Sequence, residues 1–286
     1  MGRDVDVLKG ELLNQSPTTG AVTRIKSGIP GFDELVGGGL IKDRIYLLAG
    51  PAGAGKSVFS TQFLYNGITK YGENGVHVVL EEPPSQIREN AMAFDWDLKR
   101  LEDSQHLIIL DAATARLGFS ANEKYVVPRP FTLEGLLYEV QSCIHKVGAK
   151  RVVIDSLDAM ETPEGYDAFR RVLQKLTLVL KSFGCTTIMI TETIAERMAG
   201  RRTVEEFVAD GMVMLYHVLE EAVSSETTLE EHSAGGNALE QESLAYRMRN
   251  RKIEIRKMRG TPHSSYIHPF TIGRNGIEIY YVHAND

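Results

Sequence analysis

Cysteine is nearly absent. The 286 residues hold two, Cys143 and Cys185, both in apolar surroundings and neither in a paired-ligand spacing. A disulfide scaffold and a cysteine zinc site are thereby excluded, and the two read as buried free thiols of a reducing, cytoplasmic setting. No run of about 18 apolar residues occurs, so no segment qualifies as a membrane-spanning helix. The opening MGRDVDVLKGELL lacks the apolar centre of a secretory signal. No repeat of solenoid length is visible. A basic surplus is missing too: 32 Lys and Arg stand against 38 Asp and Glu, a net charge of −6. The overall charge therefore does not point to nucleic acid as the main partner, although a local basic patch can still bind it.

What is present is a globular text of 43% hydrophobic residues, enough for one large domain or two small ones. Residues 1–22 are polar, end in NQSPTTG and read as a leader; the folded domain is expected over 23–286. Short apolar runs then alternate with amphipathic stretches. RIYLLAG (44–50), GVHVVLE (75–81), HLIILDA (106–112), RVVIDSL (151–157) and TTIMITE (186–192) read as strands. KSVFSTQFLYNGITKYG, SQIRENAMAF, TLEGLLYEVQSCIHKVG and residues 166–183 read as helices. This pattern predicts an α/β fold with a mostly parallel central sheet covered by helices on both faces. After about residue 210, GMVMLYHVL, RKIEIRKM, YIHPFTI and GIEIYY follow without long helices, which predicts an antiparallel C-terminal extension near the sheet edge. The acidic, small-residue stretch 220–243 reads as a surface insertion.

The strongest motif is GPAGAGKS, residues 50–57, set between a strand and a helix. It matches the phosphate-binding loop of nucleoside triphosphatases. Gly50, Gly53 and Gly55 allow a tight turn whose N–H groups point inward at phosphate oxygens, and the helix start adds its positive dipole end. The cradle is expected to comprise Gly50, Pro51, Ala52, Gly53, Ala54, Gly55, Lys56, Ser57 and Val58. Lys56 reaches the β- and γ-phosphates, and Ser57 offers its hydroxyl to Mg²⁺. Such a loop needs an acidic residue on a neighbouring strand for the hydrated ion. Asp155 supplies it at the carboxyl end of an apolar strand, where ligands of open α/β folds sit. Asp158 reads as a surface or cap residue. Glu81 and Glu82 close another strand before a Pro pair. Adjacent strand residues point to opposite faces, so one of the two can face the γ-phosphate. Glu81 is the expected base that orients water, and Glu82 its helper.

Near the end lies RKMRGTPHSS (256–265), a knot of cations in an acidic chain. Alternation in RKIEIRKM puts Lys252, Glu254 and Arg256 on one face and Ile253, Ile255 and Lys257 on the other. Lys257 would then break an apolar series on the core-facing side, as if leaving the sheet to meet a phosphate. One loop lysine offsets little of a triphosphate's charge, and in such enzymes a neighbour often donates the missing cation.

Taken in order, GIPGFDELVGGGL…YLLAGPAGAGKS, LEEPPSQI, VVIDSL, TTIMITET, VEEFVADGMVML and IRKMRGTPHS…PFTIGRNGIEIY resemble a single KaiC-type domain of the RecA/RadA ATPase superfamily. The resemblance covers about 22–283, apart from 220–243. It implies a RecA-like core, ATP as ligand, a glutamate pair after the second core strand, and ring-shaped oligomers, often hexamers, with ATP between subunits. It places Lys257 and Arg259 across the subunit boundary on the adjacent protomer's γ-phosphate, with His263 brought toward the same nucleotide by a turn at Gly260 and Pro262. Clock proteins of the family carry two such domains in tandem, one of them autophosphorylated at a Ser-Thr pair. Here that place reads Glu206 and Phe207, which accept no phosphoryl group, so autokinase activity is not expected.

Three functions stay open at this level. One is a regulatory or signalling ATPase whose ring exchanges an unidentified protein partner. Another is a recombinase-like protein binding single-stranded DNA through Arg197, Arg201 and Arg202. Against it, no aromatic residue lies among these arginines for base stacking, and Glu192, Glu196 and Glu205 are at hand to pair with them. The third is a nucleotide-locked scaffold with little turnover.

Overall fold

The protein is described from a computed structural model, which covers residues 22–119, 122–160, 166–192, 208–221 and 247–281. Two short strands, β1 (Arg24–Ile25) and β2 (Leu40–Ile41), pair with each other. The main sheet contains β3 (Ile45–Gly50), β4 (Gly75–Val79), β5 (Leu107–Asp111), β6 (Arg151–Asp155), β7 (Thr186–Glu192), β8 (Gly211–Glu221), β9 (Arg247–Met258), β10 (Ile267–Gly273) and β11 (Gly276–Ile279). Their spatial order is β11-β10-β9-β8-β3-β7-β6-β4-β5. Neighbours from β8 to β5 pair in parallel, whereas β8–β9, β9–β10 and β10–β11 are antiparallel. The alternating apolar pattern and its change after residue 210 thus correspond to a parallel core and an antiparallel extension.

Parallel strands are hydrophobic on both faces because helices cover both. Ile45, Leu47, Val76, Val78 and Ile154 pack under the helices Leu133–Val147 and Tyr166–Ser182. Tyr46, Leu48, Val153 and Ile188 pack under the helix Lys56–Tyr71 through Phe59, Phe63 and Leu64. The extension wraps onto that same helix. The Gln62 carboxamide donates to the Ile277 carbonyl at 3.1 Å and accepts from the Ile277 N–H at 2.7 Å, tying β11 to the helix that follows the glycine-rich loop.

The alternation expected of RKIEIRKM does not persist to its end. Val213 pairs with Ile255 but Met212 pairs with Lys257, so Arg256 is an extra residue in β9. A bulge of this kind reverses the faces beyond it. Met258 resumes the buried series after Ile253 and Ile255, while Lys257 shares the face of Met212. Lys257 therefore does not interrupt the core-facing row. Arg256 turns outward, to Glu254 at 3.2 Å and the Tyr216 hydroxyl at 2.9 Å.

His77, in the middle of β4, is fully buried with both ring nitrogens unpartnered, its strand neighbours being Ile109 and Val153. Burial pushes its pKa down to about 4. The unfolded chain binds a proton below the ordinary value of 6.5, and the folded chain does so only near 4. Stability is thus lost as pH falls through that window, by about 3 kcal/mol. His77→Leu is expected to flatten this acid limb, measured as denaturant midpoints between pH 7 and 4 (roughly the window set by the two pKa values). A Leu variant with the parent's pH dependence would assign the limb to other groups.

Candidate nucleotide site

β3 ends at Gly50, and the loop to Gly55 turns tightly into the helix Lys56–Tyr71. Gly53 (φ 75°) and Gly55 (φ 104°) occupy the left-handed region that favours glycine. At Gly50 close approach decides instead: a Cβ there would lie 2.5 Å from the Leu215 carbonyl oxygen. Ala54 N–H donates to the Pro51 carbonyl at 3.2 Å, and Ala54 is buried. Lys56 folds over the loop, its Nζ donating to the carbonyls of Gly50 at 2.8 Å and Pro51 at 3.1 Å. The helix begins immediately under these atoms, with its free N–H groups and positive dipole end.

Asp155 closes β6, two strands from β3, and its carboxylate is hydrogen-bonded by the Ser57 hydroxyl. Burial pushes its pKa up to about 6, and Glu81 and Glu82 add to the rise, while Ser57 and Lys56 oppose it. Ser57, Val79, Glu81, Glu82, Ile87 and Asp155 line one small cavity. Three carboxyl groups with one nearby ammonium make a site short of positive charge, which suits a divalent cation. Among the described residues no three His, Cys, Asp or Glu side chains form a metal-holding cluster. A cation here would rest on Ser57 and Asp155, with phosphate and water completing its shell. This is how magnesium sits in nucleotide enzymes.

Glu81 and Glu82 are placed differently from the strand reading. β4 stops at Val79, Leu80 is buried, and the two glutamates stand in the turn before Pro83 and Pro84, which cap and open the helix Pro84–Met92. Outside the strand the two-residue alternation no longer applies, so both face the same cavity. Glu81 is held by the Ser156 hydroxyl, and the Asp155–Ser156 peptide bond is cis. Ser156 also lies 3.2 Å from Asp158, whose carboxylate accepts from Thr191 Oγ1 at 3.1 Å and the Glu192 N–H at 2.7 Å. Asp158 is therefore no cap. It ties the end of β7 to the turn that carries Ser156. Nothing local in the sequence signals this chain of contacts.

A further cavity of about 550 Å³ adjoins the helix start at Ser57 and Val58 and is lined by Asn90, Ala93, Phe94 and Trp96. The Trp96 ring stacks on Phe94 at 4.8 Å and on Tyr65 at 5.8 Å.

Lys257, Arg259 and His263 do not join this site within the chain. Lys257 pairs with Met212, which pairs with Leu47, and the Arg259 N–H donates to the Asp210 carbonyl at 2.9 Å. They lie where β3 begins, and the loop lies where β3 ends. The backbone of Lys257 is roughly 14 Å from Gly50, from three residues of strand rise and two strand spacings, farther than a lysine side chain extends. Lys257 Nζ donates to the Ala209 carbonyl at 2.7 Å. Gly260 takes φ 73°, Arg24 holds Thr261, and exposed His263 has its Nδ1 3.3 Å from the Thr261 carbonyl. Arg197, Arg201, Arg202, Glu196, Glu205, Glu206 and Phe207 lie outside the described residues, as do residues 1–21 and 222–246.

The family model "ATPase: KaiC" matches residues 25–283. The chain belongs to the KaiC ATPase family. The UPF0273 protein MJ1359 of Methanocaldococcus jannaschii is 38% identical over 259 residues, 90% of this chain and 96% of the relative. The solved KaiC-like protein PH0186 of Pyrococcus horikoshii OT3 is 33% identical, with a TM-score of 0.69 covering 91% of this chain and all of that one. The circadian clock oscillator protein KaiC of Prochlorococcus marinus is 38% identical over 263 residues, but the matched part spans 46% of its length. The RecA-like P-loop fold and nucleotide binding go with membership of the KaiC family. No helix among the described residues is long and apolar enough to cross a membrane.

Proposed function

We propose that this KaiC-family chain hydrolyses ATP with Mg²⁺ and does so between subunits of a homo-oligomeric ring, as a regulatory ATPase acting on a protein partner. The observation that carries this reading is the split of the cationic groups: Lys56 stands at one end of β3 and Lys257, Arg259 and His263 at the other. A neighbour must supply the second set if it is to meet the phosphates.

The loop N–H groups and Lys56 hold the triphosphate. Its base enters the cavity beside Ser57 and Val58, where Phe94 and Trp96 provide an apolar, aromatic wall. Ser57 and Asp155 hold the magnesium ion, which neutralises phosphate charge. Glu81, fixed by Ser156, orients the attacking water and takes its proton. Glu82 lines the same cavity and stands beside Glu81 as its helper. The neighbour's Arg259 and Lys257 stabilise charge on the γ-phosphoryl group, and its His263 approaches the same nucleotide.

Lys56→Ala is expected to weaken ATP binding, and Arg259→Ala to leave binding intact but depress phosphate release by about 10³-fold, the lower range for a donated arginine. Mixed together, the two variants should regain part of the activity, because some boundaries pair an intact loop with an intact finger. Phosphate release by mixtures whose composition is checked by native mass spectrometry reads this out. No regain in mixed rings would sink the shared-site reading. Negligible release by the parent would leave a nucleotide-locked scaffold.

A further inference from the structure

Asp210 precedes β8 and has no part in the chemistry assigned above. It is 4% exposed, and its carboxylate is met by three donors from two sides: Lys181 Nζ from the helix Tyr166–Ser182 at 2.7 Å, and, from the start of β3, the Ile45 N–H at 3.1 Å and Arg44 at 3.3 Å. Burial works against its charge, but Lys181, the Ile45 N–H and Arg44 outweigh it and hold the carboxyl below its usual range. The backbone around it is fixed as well. Asp210 N–H donates to the Ile45 carbonyl at 2.7 Å, and Ala209 is 2% exposed. This fixed dipeptide holds the Lys257 ammonium and the Arg259 backbone: Ala209 O receives Lys257 Nζ at 2.7 Å, and Asp210 O receives the Arg259 backbone N–H at 2.9 Å. Gly211 follows where Met258 and Tyr46 crowd in: a Cβ on it would sit 2.6 Å from Met258 Sδ and from the Tyr46 ring.

We propose that Asp210 is a positioning residue for the cations offered to the neighbouring subunit, its buried, threefold-held carboxylate fixing the Ala209–Asp210 backbone that orients Lys257 and Arg259. This rests on the shared-site reading. A donated cation acts by standing where charge develops, and misplacement by about 1 Å can cost on the order of 10²-fold. Arg259 is exposed and follows the end of β9, so its aim depends on what holds that end. A carboxylate suits the task better than an amide. Asparagine would turn an NH₂ group toward one of three donors and leave Lys181 and Arg44 without their counter-charge.

Asp210→Asn should keep the parent's nucleotide KM and lose turnover roughly 10-fold, part of the cost of a full misplacement. The decisive readout is which partner rescues it. Asp210→Asn carries an intact phosphate loop and a misaimed finger, so it should regain activity when mixed with Lys56→Ala and none when mixed with Arg259→Ala. Regain with Arg259→Ala instead would put the damage in the phosphate loop at the far end of β3, and regain with neither would make Asp210 merely structural. Either result overturns the proposal. Should Asp210→Asn not fold, Lys181→Gln decides: Lys181 is 32% exposed at a helix end, and its loss leaves Ile45 and Arg44 on the carboxylate. It should show the same rescue pattern with a loss of about threefold, and parent turnover in it would count against the proposal. The control mixture of Arg259→Ala with Lys56→Ala separates the two levels. Without regain there, the shared site itself is wrong; with regain there, only the role of Asp210 is in question.

Discussion

Replacing Glu81 with Gln is expected to leave ATP bound and to lower turnover by about 10²-fold or more, the scale of losing a general base. The substitution preserves shape. The amide oxygen of Gln can still accept the Ser156 hydroxyl that holds Glu81, so the turn before Pro83 and Pro84 should not move. What disappears is a carboxylate able to receive a proton from water. Binding should not suffer, because Glu81 is one of the charges that push the Asp155 pKa up. Removing that charge makes Asp155 easier to ionise, which favours a cation beside it. Single-turnover phosphate release and a nucleotide-binding titration on the same variant separate the two effects. Parent-like release would take the role of base away from Glu81, and Glu82, on the same cavity, would be the next to replace.

The sheet was legible because its strands are buried on both faces. RIYLLAG, HLIILDA and TTIMITE each centre on an unbroken apolar run, IYLLA, LIIL and IMI, with no polar residue alternating within it as in a half-exposed strand. The phosphate loop was legible because its chemistry is local: glycines, a lysine and a serine within eight residues, between a strand and a helix. What escaped the sequence is long-range or irregular. RKIEIRKM shows a break in its alternation at Lys257 but not the extra residue Arg256 that causes it, because a bulge is defined by the partner strand. The strand expected over 75–81 overruns β4 by two residues, since nothing in VVLEEPP marks its end at Val79 rather than at the prolines. The pairs β1–β2 and the helices Leu98–Asp103 and Ala113–Arg116 are too short to carry a period. Asp158 and Asp210 look like ordinary turn acids, and only their partners 33 and 165 residues away in sequence give them a task.

Arg151 is the clearest case of a residue whose weight the sequence hides, and it carries the largest stability effect expected in the molecule. It heads β6, is 0% exposed, and spreads its guanidinium over four acceptors. Nε donates to Glu73 at 2.7 Å, one terminal nitrogen to the carbonyls of Phe63 at 2.9 Å and Ser27 at 3.1 Å, and the other to the Lys26 carbonyl at 2.6 Å. The Phe63 ring lies 4.4 Å from its central carbon. The helix Lys56–Tyr71 yields space for it at Gly67, where a Cβ would come within 2.3 Å of Arg151 Cδ. The guanidinium thus joins three things: the N-terminal segment Lys26–Ser27, the helix of the phosphate loop, and β6 of the sheet. Arg151→Met keeps the apolar stem but leaves Glu73 and three carbonyls without their donor. A loss of about 3–5 kcal/mol is expected, as when one partner of a buried ion pair is removed. Arg151→Lys should recover little of it, because one ammonium cannot match the planar fork that reaches both sides. Equilibrium denaturation of the two variants measures the loss. A Met variant within about 1 kcal/mol of the parent, the level of an ordinary surface pair, would mean that the N-terminal segment is held to the sheet by its apolar residues Ile25 and Ile29 rather than by this arginine.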